Sequence, residues 1–148
     1  MGLEIKHILV PFDDSDRSFN AFNFALDLAK KYHSSLSVVT VMYSSVLGSS
    51  FLDIPAHETY IEKTRLKRLS HVFNRLKLAA EKFQIPFISE IILSSSVAES
   101  LLSFANSYKV DLIVLGTRGR TGSPLRLQLG SVATLISHNA TCPVLLVK

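Results

Sequence analysis

Short apolar runs and longer amphipathic stretches alternate along this chain, and that alternation constrains the fold more than any single motif. Ile8 to Val10, closed by Pro11, reads as a buried strand, and residues 35–43, SLSVVTVMY, as a second one rich in β-branched side chains. FISEIIL after Pro86 is the third, Leu112 to Leu115 the fourth, and PVLLVK, opened by a proline, a short fifth. Between them the period changes. Phe22, Ala25, Ala29 and Tyr32 recur at three- and four-residue steps within Arg17 to Tyr32. Leu66, Leu69, Phe73, Leu76, Ala80 and Phe83 do the same within a stretch from about His57 to Phe83. Val97 to Tyr108 opens on Ser96 and Glu99, the spacing of a capping box. A last helix is expected from Ser131 to about His138. Strand and helix repeated in this way predict an α/β fold: one open parallel five-stranded sheet with helices on both faces, filling residues 1–148 as a single domain.

Composition narrows the function. No apolar run approaches a membrane span, and MGLEIKHILVPFDD lacks the design of a signal peptide. Lys6 stands where a myristoylation signal needs serine or threonine. A soluble, cytoplasmic protein with no membrane partner is expected. The lone cysteine, Cys142, excludes an internal disulfide and is expected to be a buried structural thiol beside Pro143. The net charge of +4 suits an anionic small molecule. Lys63, Arg65, Lys67, Arg68, Arg75 and Lys77 fall mostly off the apolar stripe of the long second helix, which reads as a solvated face. Without aromatic interleaving, nucleic acid is not an expected partner. The five histidines show no metal-ligand spacing, and no serine, histidine and aspartate converge. No metal-ligating and no catalytic residue is therefore named, and the chain is not expected to be an enzyme.

The densest chemistry runs from Asp111 to Ala133, DLIVLGTRGRTGSPLRLQLGSVA. Gly116, Gly119 and Gly122 follow the fourth strand at intervals of three, and Gly130-Ser131 opens the last helix. Strand, glycine loop and helix start together favour an anion: glycines allow close backbone approach, and the first N–H groups of a helix lack partners. Arg118, Arg120 and Arg126 add cations. A P-loop is excluded because no Gly-Lys pair occurs, and the GxGxxG fingerprint is missing. A tight turn with no ligand remains open on this pattern alone. Past the first strand, Asp13-Asp14-Ser15 offers two carboxylates and a hydroxyl. One of the group is expected to cap the next helix, leaving Asp13 to face the crevice. Residues 44–56, SSVLGSSFLDIPA, read as a flexible connection over that opening.

VLGTRGRTG…LGSVA, with HILVPFDDS near the start and CPVLLVK at the end, resembles the universal stress protein family over essentially the whole chain. The ATP-binding branch of that family carries G-x-x-G, nine residues, then G-[ST]. Here Gly116 to Gly119 and Gly130-Ser131 match, separated by ten residues, with the extra one placed around Ser123-Pro124. The resemblance, with right-handed crossovers, implies a Rossmann-like sheet in the order 3-2-1-4-5, the first and fourth strands adjacent at the switch point. It also implies ATP as the bound cofactor, accompanied by Mg2+. Pro11, Phe12 and Asp13 would lie at the adenosine end, with Val41 against the adenine face. Leu115, Gly116, Arg118, Gly119, Arg120 and Gly122, with Gly130, Ser131, Val132 and Ala133, would hold ribose and phosphates. A homodimer through the last strand, Val144 to Val147, and an unknown protein partner are further implications. The expected function is that of an ATP-binding stress-response regulator, non-catalytic or weakly hydrolysing. Two alternatives are weighed beside it. One is a stress-response interaction module that binds no nucleotide. The other, an ATP pyrophosphatase, needs glycines that VPFDDS lacks.

Overall fold

The computed structural model describes residues 2–43, 56–117 and 129–148, with side chains described for all of these except 56–61. The elements run β1 (His7–Pro11), α1 (Asp16–Tyr32), β2 (Ser35–Tyr43), α2 (Ala56–Glu81), β3 (Phe87–Ser94), α3 (Val97–Ser107), β4 (Leu112–Gly116), α4 (Ser131–Asn139) and β5 (Val144–Val147). All strand pairs are parallel, in the order β3-β2-β1-β4-β5. The expected topology is therefore the observed one. The apolar runs form strands because both faces are covered. Ile8, Val10, Leu36, Val38, Met42, Leu112 and Val114 pack with α1 and α2. Leu9, Val39, Val41, Ile113 and Leu115 point the other way, with α3 and α4.

At the amino ends of the strands, one polar cluster aligns the sheet. The Asp111 carboxylate accepts the backbone N–H groups of Lys6 and His7 at 2.9 Å each. His7 Nδ1 lies 3.2 Å from the Tyr108 carbonyl, and its Nε2 lies 2.6 Å from the Ser37 hydroxyl. A carbonyl can only accept, so Nδ1 donates to Tyr108. His7 is a structural histidine at the end of the sheet opposite the crevice.

The helix ends refine several expectations. Ser15 is the N-cap of α1: its hydroxyl accepts the Ser18 N–H at 3.2 Å. The capping box expected at Ser96 is absent, because the Ser96 side chain makes no cap bond. Ser94 meets that turn's needs instead, its hydroxyl accepting the Ser96 N–H at 3.1 Å. Tyr32 and Phe83, counted in the apolar stripes, are exposed. Each lies at the end of its stripe, beyond the cover of the sheet, and meets cations: Lys30 stands 4.0 Å from the Phe83 ring centroid. Cys142 is half-buried rather than buried, packing on the α3 and α4 side. The connection at 44–55 lies outside the described residues.

Candidate functional site

The strand order reverses between β1 and β4, which pair through Ile8↔Leu112 and Leu9↔Ile113. Continued by two residues, this register brings Pro11 level with Leu115, so the β1–α1 turn and the end of β4 flank one crevice. In open parallel sheets that is the place for a ligand.

On the β1 side, Phe12 is an anchor. Its N–H donates to the Val39 carbonyl at 2.9 Å, and its own carbonyl accepts the Thr40 hydroxyl at 2.7 Å. The buried ring packs edge-on to Phe19, 5.0 Å between centroids, and 6.2 Å from Phe73 of α2. With its ring in the core and both backbone groups bonded, Phe12 shapes the crevice from behind. Asp13 is half-buried. Its carboxylate accepts the Ser15 N–H at 3.0 Å and the Ser15 hydroxyl. The expected division of labour is thus modified: Ser15 caps the helix while Asp13 holds Ser15. Asp14 takes a left-handed backbone, φ 65°, and its carboxylate meets Arg68 Nε of α2 at 2.6 Å. This partner was invisible in the sequence, where Arg68 reads as one more cation on a solvated face.

On the β4 side, Leu115 is buried and Gly116 half-buried at the strand end. The Thr117 N–H donates to the Val147 carbonyl at 3.1 Å, and the Gly130 N–H to the Thr117 carbonyl at 2.8 Å. These bonds hold the start of α4 against the end of β4, although Thr117 and Gly130 are far apart in sequence. Gly130 is the N-cap in extended conformation and supplies no side-chain bond. Ser131 is exposed, Val132 half-buried and Ala133 buried against the sheet. The first-turn N–H groups of a helix have no acceptor within it, and the N-cap here, Gly130, supplies no side-chain bond to them. Val41 sits near the end of β2, buried on the same face as Leu9 and Leu115. Arg118, Gly119, Arg120 and Gly122 lie outside the described residues.

The two walls differ in charge. Asp13, Asp14 and Asp16 gather at the β1–α1 turn, whereas α4 has no acid in its first turn and presents the positive end of its dipole. Such a crevice favours a ligand with hydrogen-bond donors at one end and negative charge at the other. Among the described residues no three His, Cys, Asp or Glu side chains group to hold a metal ion. Among them, too, no helix is long and apolar enough to cross a membrane.

Residues 4–148 match the model of the universal stress protein family. The chain belongs to the universal stress protein family. A universal stress protein of Methanocaldococcus jannaschii is 34% identical over 145 residues, covering 97% of this chain and 82% of its own length. Among solved structures, the universal stress protein UspA from Lactobacillus plantarum superposes with a TM-score of 0.84 at 26% identity, covering 99% of this chain and 100% of that one. A universal stress protein from Archaeoglobus fulgidus, solved in complex with dAMP, matches with a TM-score of 0.67 at 18% identity, over 99% of this chain and all of its own; at that identity the likeness concerns the fold.

Proposed function

We propose that this universal stress protein binds an adenine nucleotide, ATP with Mg2+, in the crevice between β1 and β4, and acts as a regulator rather than a catalyst. The observation that carries the reading is the start of α4, whose glycine N-cap supplies no side-chain bond, held beside the end of β4 by the Gly130–Thr117 hydrogen bond and facing an acidic turn. Phosphates belong at the α4 end, where amide hydrogens and the helix dipole favour negative charge. The base and ribose belong toward Pro11, Asp13 and Val41, where a carboxylate can accept from an amine or hydroxyl. Gly116, Gly119, Gly122, Gly130, Ser131, Val132 and Ala133, with Leu115, Arg118 and Arg120, form the ribose and phosphate wall in this reading. Mg2+ would ride on the phosphates and water, because the described residues supply no dedicated carboxylate cluster. The nucleotide of the Archaeoglobus fulgidus relative supports the same ligand class.

Calorimetric titration with ATP tests the proposal. Saturable binding is expected, weakened in Gly130→Asp; silence at millimolar ATP in both proteins would dismiss it. One observation favours a second reading, an interaction module without nucleotide: the Asp13 carboxylate already serves Ser15. Denaturing the purified protein and identifying any released small molecule separates the two. Catalysis is tested by a turnover assay, in which robust ATP hydrolysis abolished by Asp13→Asn would overturn the regulatory assignment. In the same proposal the protein is cytoplasmic and pairs through β5, whose Val144, Leu145, Leu146 and Val147 are half-exposed at the sheet edge. A monomer by light scattering at high concentration would remove that interface.

A further inference from the structure

Asp13 stands between two neighbours that both reach α2. Phe12 on one side packs its ring toward Phe73 of α2 at 6.2 Å, and Asp14 on the other binds Arg68 of α2 at 2.6 Å. Asp14 also has a positive φ of 65°, a conformation that costs a non-glycine residue energy unless surrounding contacts hold it. Its side chain is 12% exposed while that of Arg68 is 71% exposed, so the guanidinium closes over the carboxylate from the solvent side. Leu69, the next residue of α2, is fully buried, which fixes the backbone from which Arg68 reaches out. We infer that α2 positions the ligand-facing turn, with Arg68 acting through Asp14 to set the left-handed backbone that orients Asp13. Arg68 is a positioning residue: its cation is occupied by Asp14 and it acts on the ligand through Asp13. The apolar contact sets where the turn lies, and the ionic contact sets how it is twisted. This inference rests on the nucleotide reading of the crevice, and it adds a control point on a helix that contributes no residue to the proposed ligand set.

The test is titration of ATP and of adenosine into the wild type, Arg68→Ala, Arg68→Lys, Asp14→Asn and the Arg68→Ala/Asp14→Asn double variant. Asparagine tolerates the left-handed backbone, so Asp14→Asn removes charge without adding strain. Each single loss is expected to weaken both ligands about threefold, the size that a partly exposed ion pair can supply, with thermal stability near that of the wild type. The double variant should lose no more than either single one, and Arg68→Lys should recover part of the affinity. Weakening of ATP alone, with adenosine unaffected, would mean that Arg68 acts on phosphate directly and would overturn the inference, as would additive losses. Should the wild type bind neither ligand, the nucleotide reading fails separately. Hydrogen exchange of the Ser15 amide, which Asp13 holds, then decides: faster exchange in Arg68→Ala supports positioning, and unchanged exchange refutes it.

Discussion

Two helices begin at the carboxyl edge of the same sheet, on opposite sides of the switch point, and they solve the same problem differently. The start of α1 is satisfied from within: Ser15 caps Ser18, Asp13 holds Ser15, and Asp16 adds negative charge in the first turn. The start of α4 has a glycine cap, no side-chain bond and no acid. Each helix exposes the same kind of orphan N–H groups, so the difference lies in the residues placed around them. A helix start that answers its own amides has little left for an anion, whereas one left open is a place for it. In the proposed nucleotide reading, the contrast gives the crevice a direction, with a structural role for α1 and a recognition role for α4.

That contrast can be broken deliberately, beginning with its foundation. Phe12→Ala removes a buried ring that ties the α1 turn to α2 and should cost about 3 to 5 kcal/mol in denaturant unfolding. An effect below about 1 kcal/mol would show that the turn does not depend on that anchor. Gly130→Asp makes α4 resemble α1. The extended backbone at Gly130, φ −62° and ψ 160°, suits a capping aspartate without strain. Its carboxylate would take the amides offered to phosphate. ATP affinity should fall about tenfold or more, equivalent to about 1.4 kcal/mol, while stability holds or rises by about 0.5 kcal/mol. Loss of stability together with affinity would leave the recognition role unsupported.

Smaller changes sharpen the comparison. Ser15→Ala should cost about 1 kcal/mol, because it removes a formed cap, whereas Ser96→Ala, whose hydroxyl caps nothing, should cost less than about 0.5 kcal/mol. Equal losses would mean that capping is not what separates these helix starts. The smallest effect concerns Cys142. Burial pushes its thiol above the ordinary range, with the charge of Asp111 acting the same way, partly offset by backbone hydrogen bonds. The folded state therefore holds this proton more tightly than the unfolded chain. That contribution is present below the unfolded thiol pKa and is lost as pH rises through the folded one. A slight alkaline loss of stability, absent in Cys142→Ala, is expected, together with slow alkylation of the native thiol; rapid alkylation at neutral pH would contradict it.

Much of the fold was legible because its signals are local. Leu112 to Leu115 had to be a doubly covered strand, and Leu69, Phe73, Leu76 and Ala80 had to share one buried face of a helix. Errors fell at the ends of elements, where a pattern continues after its cover stops, as at Tyr32 and Phe83. The Ser96 capping box is not formed: the Ser94 hydroxyl takes the Ser96 N–H that the box assigns to Glu99, and the Ser96 side chain makes no cap bond. In the crevice, Asp13 and Gly130 could be singled out by residue type, but Arg68 could not. A cation on an exposed helix face looks the same whether it meets water or a carboxylate from another element.

By itself, the order of residues determined the strand and helix periods, their succession and thus a parallel sheet with both faces covered, since these depend on neighbours within a few positions. Only the tertiary structure decided that Ser15 bonds Asp13, that Arg68 reaches Asp14, and that the start of α4 is tied to Thr117. Those are pairings between residues whose separation along the chain carries no period, so they come into being only when the packed layers bring them within hydrogen-bonding distance.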